Sequence, residues 1–365
     1  EQITKVKQAK NFGRNAEVEI SFDKTKSLDG KFVTTVVGEE AKAGKKNRAE
    51  AFKKLLLGTN SRLGLIAKTF LYVMLTALGF VYVYPILHMA VTSVKSLTDL
   101  LDPSVQWLPH QLSLDNYQKA MEVMGFREHL GDTLLVSFLP ALCQTASCAL
   151  AGYAFARFRF KGKSLLMGCV LLTFIVPFPV LMVPTYTLYS DYGILGSVLT
   201  LILPAITGQG LHSAIFILIY KAFYEQIPVS LDEAARVDGA SEKRIFFTIG
   251  VPLGLPAMLT TFLFSFVWYW NETYITSLYM GNAALGDTRS VSTLLMELSK
   301  FEDSYKAYLE KVSGWAAKMG GATNVQNEAV TMAGTILTIL PLLILYFCLQ
   351  RYFTDAIDRS GITGE

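Results

Sequence analysis

Six long apolar segments, each of about the length needed to cross a lipid bilayer, dominate this sequence. A transmembrane helix needs about 20 mostly apolar residues, and a segment in lipid must satisfy its own backbone hydrogen bonds, which favours helices. Short alternating segments of the kind found in outer-membrane barrels do not account for the pattern. We therefore predict an all-α membrane protein with six transmembrane helices, at about 64–90, 132–156, 164–190, 197–220, 254–280 and 328–350.

Lysine and arginine recur in the connections that fall on one side of a six-helix topology. The stretch 41–62 carries seven basic residues and a single acid, Glu50. Basic residues in short loops favour the cytoplasmic side. They recur after the second, fourth and sixth apolar segments, in 157–163, in 221–244 and from Arg351. We therefore predict that the N and C termini are both cytoplasmic.

This topology divides the chain into three parts. A Lys-rich cytoplasmic extension, 1–62, precedes the transmembrane domain, 63–351, and a cytoplasmic tail, 352–365, follows it. Two connections on the outer side, 91–131 and 281–327, are too long to be simple turns.

The N-terminal extension allows more than one interpretation. Alternation at 18–22 and an apolar run at 32–37 fit short strands, whereas the high charge of the segment fits disorder. Residues 47–58 are typical of an amphipathic helix that lies at the membrane surface.

Composition argues against several kinds of site. The formal net charge is +3, which gives no indication of nucleic-acid binding. The four cysteines lie in apolar segments and the four histidines are scattered, so we predict neither a disulfide framework nor a metal site.

The chain also lacks a complete phosphate-binding loop. That motif reads Gly, four residues, then Gly-Lys-Ser or Gly-Lys-Thr, so that backbone amides surround phosphate. Gly162-Lys163-Ser164 supplies the second half only, because Arg157 stands where the first glycine belongs. We predict that the chain is not an enzyme, that it binds no cofactor, and that any ATP is handled by a separate subunit.

The connection before the fifth apolar segment predicts two short helices that meet at an angle. Ser230 and Glu233 have the spacing of a capping box, which would start the first helix. Gly239 suits the left-handed residue that ends it. Ser241 can cap the second helix, which we expect to end at 250–252.

This connection resembles the EAA loop of ABC importer permeases. The family motif reads Glu-Ala-Ala, three residues, Gly, nine residues, Ile-x-Leu-Pro. Here Val251 replaces the leucine, and the other positions match at Glu233-Ala234-Ala235, Gly239, Ile249 and Pro252. Two further runs look like the carbohydrate-uptake branch, which is maltose-type and binding-protein-dependent: Asp238-Gly239-Ala240-Ser241 and Trp270-Asn271-Glu272. The resemblance covers about 64–365.

The resemblance implies a type I ABC importer permease fold and a multi-pass location in a bacterial or archaeal cytoplasmic membrane. The implied partners are a second permease, two ABC ATPase subunits that bind ATP and Mg, an extracytoplasmic solute-binding protein, membrane lipid and a sugar. The coupling loop, 228–252, would dock to an ATPase through Ser230, Glu233, Ala234, Ala235, Arg236, Asp238, Gly239, Ala240 and Pro252. A capped surface helix without a partner is the simpler alternative.

The resemblance also assigns roles to the outer loop and the tail. In such permeases, a loop like 281–327 contacts the binding protein, and a Gly-rich tail like 358–364 reaches the ATPase interface. Disorder is the alternative for both segments.

Glu272 is the only acidic residue well inside a predicted membrane helix. Ionisable groups there usually face protein or water. Aromatic and amide neighbours suit sugar binding, which predicts a substrate pathway at Trp268, Trp270, Asn271, Glu272 and Tyr274. The alternative is an interhelical hydrogen bond beside an aromatic belt. In maltose-type importers the partner permease mainly holds the sugar, which weakens the pathway hypothesis.

Other functions remain as alternatives. An ABC permease for a non-sugar solute would share the coupling loop but not the carbohydrate-type runs. An ion-coupled carrier usually places several ionisable groups at mid-membrane, and this chain offers little beyond Glu272. A membrane sensor or scaffold would leave the coupling pattern unexplained.

Overall fold

A computed structural model describes residues 56, 58–59, 62–281, 291–313 and 322–359. The predicted strands at 18–22 and 32–37 lie outside the described residues. So do nearly all of the predicted surface helix at 47–58, parts of the outer loop 281–327, and the end of the tail.

Helices make up most of the described chain. A hairpin of two short strands, β1 (Gly58–Thr59) and β2 (Arg62–Leu63), precedes them. The helices that follow up to Gln226 are α1 (Leu65–Ser93), α2 (Leu97–Leu101), α3 (Asp115–Val123), α4 (Phe126–Arg157), α5 (Lys163–Ile175), α6 (Phe178–Asp191), α7 (Leu199–Ile206) and α8 (Ser213–Gln226). The remaining helices are α9 (Val229–Val237), α10 (Glu242–Ile245), α11 (Val251–Asn271), α12 (Tyr274–Met280), α13 (Leu294–Ser299), α14 (Phe301–Ser313) and α15 (Ala322–Arg359).

The part of the chain up to Gly79 is a unit of its own. It contains the hairpin, in which Gly58 pairs with Leu63 and Thr59 with Arg62, and the first half of α1. The large apolar side chains of this half-helix are exposed in the isolated chain. Such a helix, apolar on all sides, is suited to lipid.

The described chain has enough long apolar helices for a multi-pass protein. Four helices could each cross a membrane by length and composition: α1, α4, the continuous helix Glu242–Asn271, and the Glu328–Arg351 part of α15. Two further pairs of helices, α5 with α6 and α8 with α9, are each bent at a short break. If each pair counts as one span, the number rises to six. The prediction of a mainly helical protein with several membrane spans is confirmed at this level.

From Phe80 onward, α4 is the central helix and packs against α7, α8 and α11. One apolar cluster lies along its first half and includes Val136, Ala141, Leu201, Phe266 and Tyr269. A second cluster lies along its second half and includes Cys148, Tyr153, Phe216, Tyr220 and Tyr224. A third joins α3, α13, α14 and α15 and includes Ala120, Met124, Phe301, Tyr305 and Val330.

Three predicted spans are wrong in one respect, because each consists of two helices. The affected spans are 164–190, which contains α5 and α6, 197–220, which contains α7 and α8, and 254–280, which contains α11 and α12. The first break falls at Pro177, because proline lacks the N–H that would continue the preceding helix.

The second break, between α7 and α8, passes through two left-handed residues, Gly208 (φ 73°) and His212 (φ 56°). A break inside lipid frees backbone groups that must find partners within the protein. The amide of buried Gln144 on α4 donates to the Leu211 carbonyl. The Leu211 amide donates in turn to Tyr269 Oη on α11, at 3.3 Å. Two neighbouring helices therefore hold this break.

The break also depends on a small residue. A Cβ added to Gly210 would lie 2.6 Å from Tyr269 Oη and 2.8 Å from Gln144 Oε1. Gln144 Oε1 already accepts a hydrogen bond from Ser265 Oγ at 3.1 Å. Any side chain at Gly210 would therefore displace the groups that satisfy the freed backbone.

Close packing of α4 on α8 generates a stability prediction. A Cβ at Gly152 would lie 2.3 Å from Tyr220 Cβ and 3.0 Å from the Ile217 carbonyl oxygen. We expect Gly152→Ala to destabilise the protein by about 1–3 kcal/mol through overpacking. The measurement is the thermal unfolding midpoint of the purified protein in detergent.

The matched control for that variant is Gly131→Ala in the same helix, where an added Cβ meets nothing within 4 Å. Alanine is favoured over glycine in a helix by roughly 0.5–1 kcal/mol, so this control should be neutral or stabilising. Equal midpoints for the two variants would contradict the packing argument.

Candidate functional site

The first helix of the coupling loop, α9, begins two residues before the sequence predicts. Its N-cap is Pro228, and Val229 is the first helical residue. Ser230 therefore lies inside the first turn and cannot serve as the cap, so the predicted capping box with Glu233 is wrong. Asp232 also lies in the first turn, where the helix dipole favours a negative charge.

Gly239 ends α9 as the sequence predicts. Its φ is +81°, in the left-handed region where a Cβ is disfavoured. The Ala240 amide donates to the Ala235 carbonyl at 2.9 Å, and the Gly239 amide donates to the Arg236 carbonyl at 3.0 Å. These two bonds form a Schellman motif, which satisfies the terminal carbonyls and reverses the chain.

The second helix starts where it was predicted but does not end there. Ser241 Oγ accepts a hydrogen bond from the Arg244 amide at 3.4 Å, which caps α10. A π-helical turn, Phe246–Gly250, then leads directly into α11. The expectation that 250–252 would end the helix is wrong. The wider turn lengthens the backbone just before Pro252, where the proline ring would otherwise clash with the preceding turn.

An exposed ion pair crosses the turn between α9 and α10. Arg236 donates to both carboxylate oxygens of Glu242, from Nε at 2.7 Å and from Nη2 at 3.2 Å. Arg236, predicted to contact a partner, thus already has an intramolecular role in holding the angle between the two helices.

A buried ion pair, which sequence analysis missed, attaches α9 to α4. Arg157 Nε lies 3.1 Å from Asp232 Oδ2, and the two side chains are only 5% and 2% exposed. Neither of these two atoms makes a hydrogen bond of good geometry, so the attraction is mainly ionic. Arg157 Nη2 also donates to the Ile227 carbonyl at 2.9 Å, in the connection before α9.

This pair could not be recognised from one sequence. Arg157 is one of several basic residues at the end of α4, and Asp232 is one of several acids near α9. Their separation of 75 positions gives no local signal, and burial alone distinguishes them from their neighbours. The structure therefore adds both residues to the candidate site.

The remaining surface of α9 is open to a partner. α9 meets α8 at 72°, and its exposed side includes Glu233 and Ala234, while Ala235 and Ala240 are half-buried. Val237, next to exposed Asp238, is 88% exposed, which is unusual for a large apolar side chain. Small and apolar residues on a rigid projection can pack closely against another protein.

The predicted substrate-pathway residues do not form one cluster. Trp270 is buried in the apolar core, and Tyr274 is exposed, with its hydroxyl donating to Met182 Sδ at 2.9 Å. Asn271 Nδ2 donates to the Val267 carbonyl of its own helix at 2.9 Å. Glu272 lies in the break after α11 rather than inside a helix, which corrects the prediction.

Glu272 has a local structural role in that break. Its Oε1 accepts a hydrogen bond from the Ile275 amide at 2.8 Å, in the first turn of α12. Its backbone carbonyl accepts from Thr276 Oγ1 at 2.9 Å. A helix start needs acceptors for its free amides, and this carboxylate provides one.

Trp268 is the exception among the predicted pathway residues. It is half-buried, with its ring 4.1 Å from that of His212 and 5.1 Å from that of Phe216, centroid to centroid. His212 lies at the second helix break, and its side chain is exposed in the isolated chain. In the sequence His212 is one of four scattered histidines, and nothing there indicates that it pairs with Trp268.

The Arg157–Asp232 pair generates a prediction about stability. We expect Asp232→Ala to destabilise the protein by about 3–5 kcal/mol, because it leaves the Arg157 charge buried and uncompensated. The double variant Arg157→Met with Asp232→Leu should recover much of this loss, since no buried charge remains. Chemical denaturation of the wild type, of the single variants Arg157→Met and Asp232→Leu, and of their double variant closes a double-mutant cycle that measures the coupling.

The control for this cycle is Glu233→Ala, which changes an exposed acid on the same helix. We expect its effect to stay within about 0.5 kcal/mol. Additive losses in the double variant would show that the two buried residues do not act as a pair.

Comparison with known proteins shows which family this chain matches. Residues 149–359 match the family described as "Binding-protein-dependent transport system inner membrane component". The chain is 28% identical to the osmoprotective compounds uptake permease GgtD of Synechocystis, over 83% of this chain and 95% of GgtD. It is 28% identical to the polygalacturonan/rhamnogalacturonan transport system permease YtcP of Bacillus subtilis, over 80% of this chain and 97% of YtcP.

A solved structure supports the fold. A chain of a bacterial ABC transporter involved in the import of the acidic polysaccharide alginate matches with a TM-score of 0.60 at 20% identity, over 79% of this chain and 96% of that chain. The family match covers more than half of the 365 residues and includes α9, the turn at Gly239 and the helix break at His212. The chain therefore belongs to the family of binding-protein-dependent transport system inner membrane components.

Proposed function

We propose that this chain is the transmembrane permease subunit of an ATP-driven, binding-protein-dependent importer of sugars or oligosaccharides. The observation that carries the proposal is the rigid projection formed by α9, attached to α4 through Arg157 and Asp232 and ended by the left-handed turn at Gly239. The membership of the family and the names of its sugar-transporting relatives support the same function.

In this proposal the chain has six spans with both termini in the cytoplasm. The third span is α5 with α6, and the fourth is α7 with α8. We do not count α9 as part of a span, because Asp232, Glu233 and Arg236 would be costly in lipid. Arg157 at the end of α4 touches Asp232 on α9, so the basic connection 157–163 and the coupling loop lie at the same end of this helix. This common end would be cytoplasmic.

The transport mechanism follows from how α9 is attached. In the assembled importer, two ATPase subunits would bind ATP and Mg and close on each other, and α9 would sit in a cleft of one of them. Because a buried ion pair joins α9 to α4, and α4 packs against α7, α8 and α11, motion of α9 would be transmitted to the helices that surround the pathway. The chain itself would hydrolyse no ATP.

The substrate pathway would include the second helix break. A second permease would complete the cavity, and an extracytoplasmic binding protein would deliver the sugar. Aromatic rings and polar groups at a helix break suit a sugar, since the ring faces pack against its C–H surfaces and the polar groups bond its hydroxyls. Trp268 with His212 meets this description, whereas Trp270 is buried and Glu272 caps α12.

A related importer for a different solute is the second candidate. GgtD is named for osmoprotective compounds rather than for a polysaccharide, and such an importer would use the same coupling loop. Uptake assays with a panel of labelled sugars and osmoprotective compounds distinguish the two candidates.

The coupling role is tested by Gly239→Pro and Ala235→Glu. Proline cannot adopt the φ of +81° at Gly239, and a charge at half-buried Ala235 would disturb the surface that docks. We expect both variants to insert into membranes normally but to lose uptake and co-purification of the ATPase. The measurements are labelled-sugar uptake and mass spectrometry of the purified complex.

The control for Ala235→Glu is Ala307→Glu, which places the same charge on an exposed position of α14. Because α14 belongs to the outer loop 281–327, which would meet the binding protein and not the ATPase, this variant should keep the ATPase on co-purification. Normal uptake by both coupling-loop variants would defeat the coupling assignment, and purification of the wild-type chain without any ATPase would favour a carrier that works alone.

The pathway role is tested by Trp268→Ala and by His212→Ala. Loss of an aromatic contact is worth about 0.5–1.5 kcal/mol, so the half-saturation concentration for sugar should rise about 2- to 10-fold. Trp268→Phe, which keeps a ring, should have a smaller effect. Unchanged half-saturation in stable, correctly assembled variants would remove these residues from the pathway.

A further inference from the structure

The connection between α1 and α3 is a loop closed by its own hydrogen bonds. The Ser113 amide donates to the Val94 carbonyl at 2.8 Å, and Lys95 and Leu112 form an isolated antiparallel bridge. The side chain of buried Asn116 donates to two carbonyls at the base of the loop, both at 2.9 Å. The ends of the loop are therefore fixed relative to α1 and α3.

Two charged side chains fix the interior of the loop. Lys95 is 7% exposed and its Nζ donates to the carbonyls of Val105 and Gln106, at 2.8 and 2.9 Å. Asp99 is 5% exposed and accepts from the backbone amide of His110 at 3.1 Å, from its Nδ1 at 3.0 Å, and from the Gln111 amide at 3.3 Å. Polar groups thus occupy the inside of the loop.

Three large apolar side chains of the same loop face outward, beside exposed polar residues that include Gln106 and His110. Leu108 is 86% exposed, Leu112 is 76% exposed, and Trp107 is 42% exposed. Charges inside and large apolar groups outside are the reverse of what a loop in water shows. A loop held rigidly in this state has a surface that needs an apolar environment.

The contact of Trp107 shows where this surface lies. Its ring packs edge-on against Tyr84, with centroids 5.3 Å apart. Tyr84 is nine residues before the end of α1 at Ser93, which is about 13 Å along a helix. The loop therefore folds back alongside α1 instead of extending beyond it, and it reaches the level of the apolar run of that helix.

We propose that Trp107 and Leu108 insert into the boundary between headgroups and acyl chains of the lipid bilayer and anchor this loop there. Tryptophan is enriched at that boundary, and apolar anchors typically penetrate about 5–10 Å into it. A soluble partner would approach from the aqueous side, past Ser93, whereas Trp107 lies back along α1. The inference requires only that α1 crosses the membrane and does not depend on the transported solute.

Quenching of Trp107 fluorescence by brominated lipid tests this proposal. The assembled complex would be reconstituted into vesicles whose phosphatidylcholine carries bromine near the headgroup end of the acyl chains. The chain has four tryptophans, so the Trp107 signal is the difference between the wild type and Trp107→Phe. We expect this signal to be largely lost in brominated vesicles and to resist aqueous iodide.

Two further variants complete the test. Trp270→Phe removes a tryptophan that is 2% exposed, and its difference signal should resist both quenchers. Leu108→Asp should move the Trp107 signal from quenching by lipid to quenching by iodide.

Two results would overturn the proposal. Quenching of the wild-type Trp107 signal by iodide alone would place the loop in water. Resistance to both quenchers in the assembled complex would show that another protein covers it.

Discussion

The structure depends on one constraint, which is that backbone groups inside lipid must be satisfied within the protein. Most of the chain meets it with continuous helices. The break between α7 and α8 meets it differently, because Gln144 and Tyr269 on two neighbouring helices bond the backbone of Leu211. Gly210 allows these side chains to approach. A kinked segment within the bundle can thus expose His212 beside half-buried Trp268 while the backbone of Leu211 stays hydrogen-bonded.

The proposed coupling role sets a mechanical requirement on the loop 228–252. A projection can move the membrane helices only if it is attached to them more firmly than by a flexible connection. The buried Arg157–Asp232 pair attaches α9 to α4, while the Schellman turn at Gly239 and the exposed Arg236–Glu242 pair set the angle to α10. The π turn then continues the chain into α11. In the proposed mechanism, motion at α9 would therefore reach both α4 and α11.

The pathway hypothesis shows how composition can mislead. Trp268, Trp270, Asn271 and Glu272 are adjacent in sequence, but helical geometry points successive side chains in different directions. Trp270 enters the core, Asn271 bonds its own helix, and Glu272 caps the next one. Of these four residues, only Trp268 packs against an exposed residue outside its own helix, namely His212 in the break before α8. His212 lies 56 positions before Trp268 in the sequence, and no motif marks it as a partner of Trp268.

The sequence by itself determined the helical membrane class, the approximate apolar segments, the left-handed end of α9 at Gly239 and the cap at Ser241, because these depend on local composition and backbone preference. It also revealed the family through the spacing of its motif. Only the tertiary structure decided that the span 197–220 breaks between α7 and α8, that Pro228 rather than Ser230 is the N-cap of α9, and that Arg157 and Asp232 pair. Those outcomes depend on contacts between distant segments and on burial, and neither is encoded in a local pattern.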